Sequence, residues 1–142
     1  SSDGSRAEHP ATRASTGLFD VSHMAQVWLT GPGAGAMLER LTPTDTGAIA
    51  EGRVRYSLFL NDAGGVLDDL MIARHNDILQ LVVNAGRADH DIGLLRASLD
   101  SSVTMDVRSD LALLALQGPA SPQVLARLGG DLDGFTFMQI ET

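Results

Sequence analysis

The sequence predicts an α+β fold built on an antiparallel sheet meander with helices packed on one face, and three observations predict it. Residues 54–60, 66–74 and 78–83 are runs rich in Val, Ile, Leu, Tyr and Phe, joined by the turn signals Asn61-Asp62-Ala63-Gly64-Gly65 and Asn76-Asp77. Links this short join antiparallel neighbours, because a parallel crossover needs about a dozen residues or more. Between residues 87 and 99 the apolar positions Ile92, Leu94, Leu95 and Leu99 recur at helical spacing. Nowhere does strand alternate with helix in the manner of a parallel sheet.

Taken in order, residues 25–29 read as a short strand, and Gly31-Pro32-Gly33-Ala34-Gly35 turns the chain into a helix carrying Met37, Leu38 and Leu41, which Pro43 closes. These glycines nearly satisfy the dinucleotide fingerprint G-x-G-x-x-G/A, with Ala36 in the last place. Pro32 and the hairpins that follow favour a plain strand-to-helix turn. Residues 42–52 are a loop, and the three meander strands come next. Asn84-Ala85-Gly86 starts the helix over 87–99, expected to lie across the meander. Residues 103–107 alternate through Thr104 and Asp106 as a strand, 111–116 read as a buried strand, and Gly118-Pro119 with Ser121 opens a helix that Gly129-Gly130 ends. The alternation over 135–140 predicts a last strand. The order is β-α-β-β-β-α-β-β-α-β, with no repeat and no linker, hence one compact unit with a poorly structured polar start over residues 1–16.

Composition narrows the function. At 142 residues, with 44% hydrophobic and 20% charged side chains, the chain can bury a globular core. A formal charge of −8 argues against a nucleic-acid backbone or an anionic membrane surface as partner. No Cys is present, which excludes thiol nucleophiles and thiolate metal sites. Apolar runs stop short of the roughly 18 residues of a membrane helix, and the N-terminus lacks the pattern of a signal peptide. The absence of an initiator Met and the unfinished pattern at 135–140 lead us to expect a fragment. His9, His23, His75 and His90 have no zinc-type spacing, so no metal is expected. Hydrolase chemistry loses weight too: there is no G-x-S-x-G elbow, and Ser22 and His23 diverge in a strand.

Asp68 and Asp69 are the chemical feature of this chain. Two adjacent carboxylates stand inside the apolar run 66–72, where Asp is disfavoured and burial of an unpartnered charge costs several kcal/mol. Strand alternation sends one to each face, so they are no dyad with each other. Each admits a structural reading, capping nearby amides or facing solvent, and a functional one. A hairpin centred on Ala63 sets Tyr56 opposite Leu70, one ladder step from Asp69, where it either packs across strands or lines the same cavity. Asn84, at the end of a strand and the start of a helix, suits a helix cap or a ligand contact.

Five segments together carry a resemblance: Gly17-Leu18-Phe19-Asp20-Val21-Ser22-His23-Met24, Tyr56-Ser57-Leu58-Phe59-Leu60-Asn61, residues 64–70, Val82-Val83-Asn84-Ala85, and Leu113-Leu114-Ala115-Leu116-Gln117-Gly118-Pro119. In order and spacing they resemble the aminomethyltransferase (T-protein) family of the glycine cleavage system. The resemblance runs from Gly17 to the C-terminus and covers an N-terminal portion of a family about two and a half times longer; the residues before Gly17 resemble the tail of a more divergent helix. It implies a tetrahydrofolate-dependent reaction, in which the lipoyl arm of H-protein presents an aminomethyl group, ammonia leaves and the methylene passes to the folate. By the same resemblance Asp69 is the catalytic carboxylate, and Met24, Tyr56, Asp69, Val82 and Asn84 line the folate pocket, with no metal. The family's remaining tyrosine, glutamate and arginine pocket groups come from segments outside this chain, so these residues by themselves are expected to bind folate weakly and to be inactive.

The resemblance also leaves a second class, a folate-binding relative without transferase activity, either an iron–sulfur assembly factor or a dehydrogenase-fused folate module. The intact Phe-Asp-Val-Ser-His-Met and Asp-Asp-Leu segments favour the transferase. Its expected compartment is the bacterial cytoplasm, or the mitochondrial matrix for a eukaryotic source.

Overall fold

Cross-strand pairing over residues 53–83 builds the larger of two sheets. A computed structural model describes residues 4–130 and 132–141. Along the chain run α1 (Ser5–Ala14), β1 (Gly17–Asp20), β2 (Ala25–Thr30), α2 (Ala34–Glu39), β3 (Arg53–Leu60), β4 (Val66–His75), β5 (Ile78–Val83), a 3₁₀ turn (Ala85–Arg87), α3 (Ala88–Ala97), β6 (Thr104–Val107), β7 (Leu114–Gln117) and α4 (Ser121–Arg127). The fold is α+β and antiparallel throughout its ladders. Instead of one compact unit there are two, residues 1–22 with 112–136 and residues 23–111 with 137–142. The boundary carries no linker composition because the chain leaves the first unit and returns to it some ninety residues later, a long-range event that local sequence does not mark.

In the second unit the strand order is β3-β4-β5-β2-β6. One face of this sheet is apolar: Val27 and Leu29, Phe59, Leu70 and Ile72, and Leu79, Leu81 and Val83 are buried there. Helix α2 adds Met37 and Leu38 and α3 adds Ile92 and Leu95 to the same core, so the helices cover one face as expected. Each of these side chains contributes about 1.5–3 kcal/mol by burial.

The β3–β4 ladder is irregular at one point that matters for function. Leu60 pairs with Val66, whereas Phe59 pairs with Asp68, which leaves Leu67 as an extra residue on β4. A one-residue slip exchanges the faces of every side chain beyond it. Tyr56 therefore lies opposite Met71 and not opposite Leu70, and Leu58 lies opposite Asp69.

The glycine-rich turn before α2 is structural. Gly31 has φ +102°, and a Cβ there would run into the carbonyl oxygen of Ser102. Gly31→Ala is expected to destabilise the protein by about 1–3 kcal/mol, read as a lower urea midpoint at unchanged slope.

In the first unit three expectations need correction. Residues 5–14 are helical and not an unstructured start: Ala, Arg and Glu are strong helix formers, Ala7 and Glu8 both donate to the Gly4 carbonyl, and Glu8 and Arg13 stand at the ends the helix dipole favours. Residues 17–20, which carried no strand assignment, pair with β7, Gly17 opposite Gln117 and Asp20 opposite Leu114. The strand read as buried over 111–116 is β7, and Leu114 is 57% exposed, since β7 belongs to a two-stranded ladder. The strand expected over 135–140 reduces to a single bridge of the second unit, Arg53 with Gln139; Met138 at φ +59° ends the extension.

Candidate functional site

The bulge at Leu67 decides which residues meet. Because Tyr56 pairs with Met71, Met71 with Val82 and Val82 with Gln26, these four cross the sheet in one row on the face away from the core. The next row holds Leu58 and Asp69. Ala25 pairs with Val83 and Leu70 with Val83, so Asn84 and Met24 occupy the positions just past the ladder, in line with Asp69. All five residues predicted for the site thus converge on one end of one sheet face. Tyr56 is 67% exposed and Asp69 is exposed, whereas Val82 is buried and Met24 and Asn84 are half-buried. The site is an open face and not a closed cavity; a cleft lined by Gly31, Pro32, Glu39, Thr46 and Arg74 contains none of the five.

Asn84 holds the two carboxylates. Its Nδ2 donates to Asp69 Oδ1 at 2.9 Å, to the Asp69 carbonyl at 3.1 Å and to Asp68 Oδ1 at 3.1 Å. It forms no side-chain cap on the 3₁₀ turn, so the helix-cap reading gives way. The Asp69 amide also donates to Asp68 Oδ1, at 2.9 Å. The two carboxylates point to opposite faces as alternation requires, yet one amide group ties them together.

Asp68 faces the core side, paired with Phe59. Burial alone would raise its carboxyl pKa, but hydrogen bonds from Asn84, the Asp69 amide and Asp91, with the charge of Arg87, outweigh burial and lower it. The stability linked to this group is present above the ordinary carboxylate range and is lost as pH falls through the lowered value. Asp91, on α3, is fully buried and shifts the other way: burial raises it, the hydrogen bond from His90 opposes, and the neighbouring Asp68 raises it further. Its share of stability is complete below the ordinary carboxylate range and is lost as pH rises through the raised value. His90 Nδ1 lies 3.0 Å from Asp91 Oδ1.

Sequence reasoning missed Asp91, Met71, Leu58 and Gln26. A correct β3–β4 register would have found Met71 and Leu58. Gln26 is buried and accepts from Gln80 Nε2 at 3.3 Å, and Gln80 Oε1 lies 3.0 Å from His75 Nε2, a polar line across the same face. Further along the face the Arg108 guanidinium stacks 3.9 Å over Trp28. Its two hydrogen bonds to Asp110, at 2.9 and 2.8 Å, hold that carboxyl down at about 2.

Against known proteins, the whole of residues 1–142 matches the GCVT N-terminal domain. The chain belongs to that family. The family match starts at residue 1, ahead of Gly17, and so takes in α1. Among curated relatives it is similar to aminomethyltransferases of Chlorobium chlorochromatii, 40% identical over 132 residues, and Streptomyces avermitilis, 41% identical over 136 residues. These matches cover 90% and 93% of this chain and 36% and 37% of the relatives, so the GCVT N-terminal chain spans just over a third of their length. The crystal structure of the glycine cleavage system aminomethyltransferase T from Bartonella henselae superposes with a TM-score of 0.87 at 38% identity, covering 94% of this chain and 37% of that one. A heterotetrameric sarcosine oxidase from Corynebacterium shares the fold, with a TM-score of 0.56 at 23% identity, 89% of this chain and 64% of that one.

Proposed function

We propose that this GCVT N-terminal chain is the pterin-side portion of a tetrahydrofolate-dependent aminomethyltransferase of the glycine cleavage system, with Asp69 as the catalytic carboxylate. Its co-substrate is tetrahydrofolate, its protein partner is the lipoylated H-protein, and Met24, Tyr56, Val82 and Asn84 line the folate site with Asp69. The observation that carries this reading is the Asp69 carboxylate, exposed to an incoming ligand yet held at 2.9 Å by Asn84, on the face that bears Tyr56, Met71 and Val82. That surface suits a flat heterocycle with N–H donors: Val82, Met71 and Tyr56 give it apolar contact, and the carboxylate accepts from its edge.

Tetrahydrofolate supplies the amine that takes up the methylene. Asp69 holds a fixed negative charge where positive charge develops on the sulfur-bound methylene carbon as ammonia departs, and it orients the attacking amine by accepting its hydrogen. Asn84 keeps that carboxylate in a single orientation before substrate arrives, so little reorganisation is needed in the transition state.

The test uses the longest natural polypeptide that carries this chain, mixed with aminomethyl-lipoyl H-protein and tetrahydrofolate. Methylenetetrahydrofolate and ammonia are expected in equal amounts, each dependent on both reactants. Tetrahydrofolate binding with neither product formed would replace this reading with that of a folate-binding relative lacking transfer.

A further inference from the structure

We infer that Asp91 is a positioning residue for this reaction: one proton shared between the Asp68 and Asp91 carboxyl groups locks Asp68, and through Asn84 fixes the Asp69 carboxylate. The inference rests on the reading of Asp69 given above.

Asp91 is completely buried on α3, next to Ile92 and near Leu95 of the core. Asp91 comes from the helix that packs on the core face toward which Asp68 points, and the two carboxyl groups act on each other side chain to side chain. Each of the two uses Oδ1 toward other donors: Asp68 Oδ1 receives Asn84 Nδ2 and the Asp69 amide, and Asp91 Oδ1 faces His90 Nδ1. Each keeps a buried Oδ2 that no N–H or hydroxyl among the described residues reaches. A fully buried carboxylate beside a half-buried one, each with a buried oxygen left over, costs several kcal/mol in desolvation and repulsion if both are charged. One proton between them satisfies both oxygens and removes one of the two charges.

The surroundings place that proton on Asp91. Asp68 takes two N–H donors and lies in the field of Arg87, which favours its anion, while complete burial favours the neutral form of Asp91. The groups acting on the pair are the Asp69 amide on β4, Asn84 past β5, Arg87 on the 3₁₀ turn and His90 on α3, with the Asp69 carboxylate on the opposite face of the sheet. An O–H···O⁻ bond is among the strongest available to side chains, and it fixes the Asp68 rotamer. The Asp68 carboxylate then offers Asn84 a fixed acceptor, and the Asn84 amide meets Asp69 in one geometry. Loss of the proton at alkaline pH sets two anions against each other and frees the chain of contacts.

The experiment compares wild type, Asp91→Asn, Asp91→Leu and Asp69→Asn in the longest natural polypeptide carrying this chain. Infrared spectra in heavy water at pH 7 are expected to show one neutral-carboxyl band in the wild type that disappears in Asp91→Asn. Asn at 91 still donates to Asp68, so transfer stays within about threefold of wild type and its alkaline fall is removed. Leu at 91 cannot donate, and kcat drops about 10- to 100-fold while the KM for tetrahydrofolate holds. Absence of the neutral-carboxyl band overturns the shared proton, and so does equal transfer by Asp91→Asn and Asp91→Leu with unchanged pH profiles. If the band behaves as expected but Asp69→Asn transfers normally, the positioning role falls because the reading of Asp69 has failed, with the proton still in place.

Discussion

Asp69→Asn is expected to lower methylene transfer by about 10²- to 10³-fold while tetrahydrofolate affinity stays within a few fold. The substitution is isosteric, and the new amide oxygen can still accept from Asn84 Nδ2, which lies 2.9 Å from Oδ1 in the native protein. Charge is therefore removed with shape retained. A loss confined to kcat assigns the carboxylate to the transition state, where positive charge develops; a loss confined to KM assigns it to ground-state binding. Because Asp69 is exposed and forms no salt bridge among the described residues, folding stability should move by less than about 0.5 kcal/mol. Calorimetric titration with tetrahydrofolate and a steady-state assay on the same preparation separate these outcomes. Unchanged transfer would reduce Asp69 to a structural residue and remove the mechanism.

The sheet and its helices were legible because they are written in local patterns, and Asp68 and Asp69 stood out as two carboxylates in an apolar run, whereas Met24 and Val82 entered the candidate site only through the family resemblance. Alternation, five-residue and two-residue turns and the helical spacing of Ile92 and Leu95 each act over a few residues. How Tyr56 and Asp69 come to share a face was not legible. Regular pairing from a hairpin centred on Ala63 sends Tyr56 to the face of Leu70, which is the core, and the bulge at Leu67 turns it outward to Asp69. The bulge sits in an apolar run with no glycine at the extra residue, so its position is set by the need to bury Leu70 and Ile72 together with Phe59. Asp91 was hidden for another reason. An acidic residue in the first turn of a helix ordinarily serves the helix dipole at the surface, and only tertiary packing buries this one. The β1–β7 pair joins residues about a hundred positions apart, a distance over which neither strand carries a register signal.

Asn84→Ala is the second large effect, and it discriminates between the two readings this residue admits from sequence. A helix cap would cost about 1 kcal/mol of stability and leave transfer alone. The amide instead serves three acceptors on two adjacent carboxylate residues, so its removal leaves Asp68 with a lost charge-assisted donor on the buried side and Asp69 free to rotate on the exposed side. We expect a loss of about 1–3 kcal/mol in stability together with a 10- to 100-fold fall in kcat, since a misoriented carboxylate no longer faces the developing charge. The Asp68 carboxyl should also rise, because the hydrogen bond that most lowers it is gone, and a carbon-detected NMR titration would follow that shift. Asn84→Asp should be worse than Asn84→Ala: it sets a third anion against two carboxylates and supplies no donor. Stability lost with transfer intact in both variants would return Asn84 to a structural role and leave Asp69 held by other means.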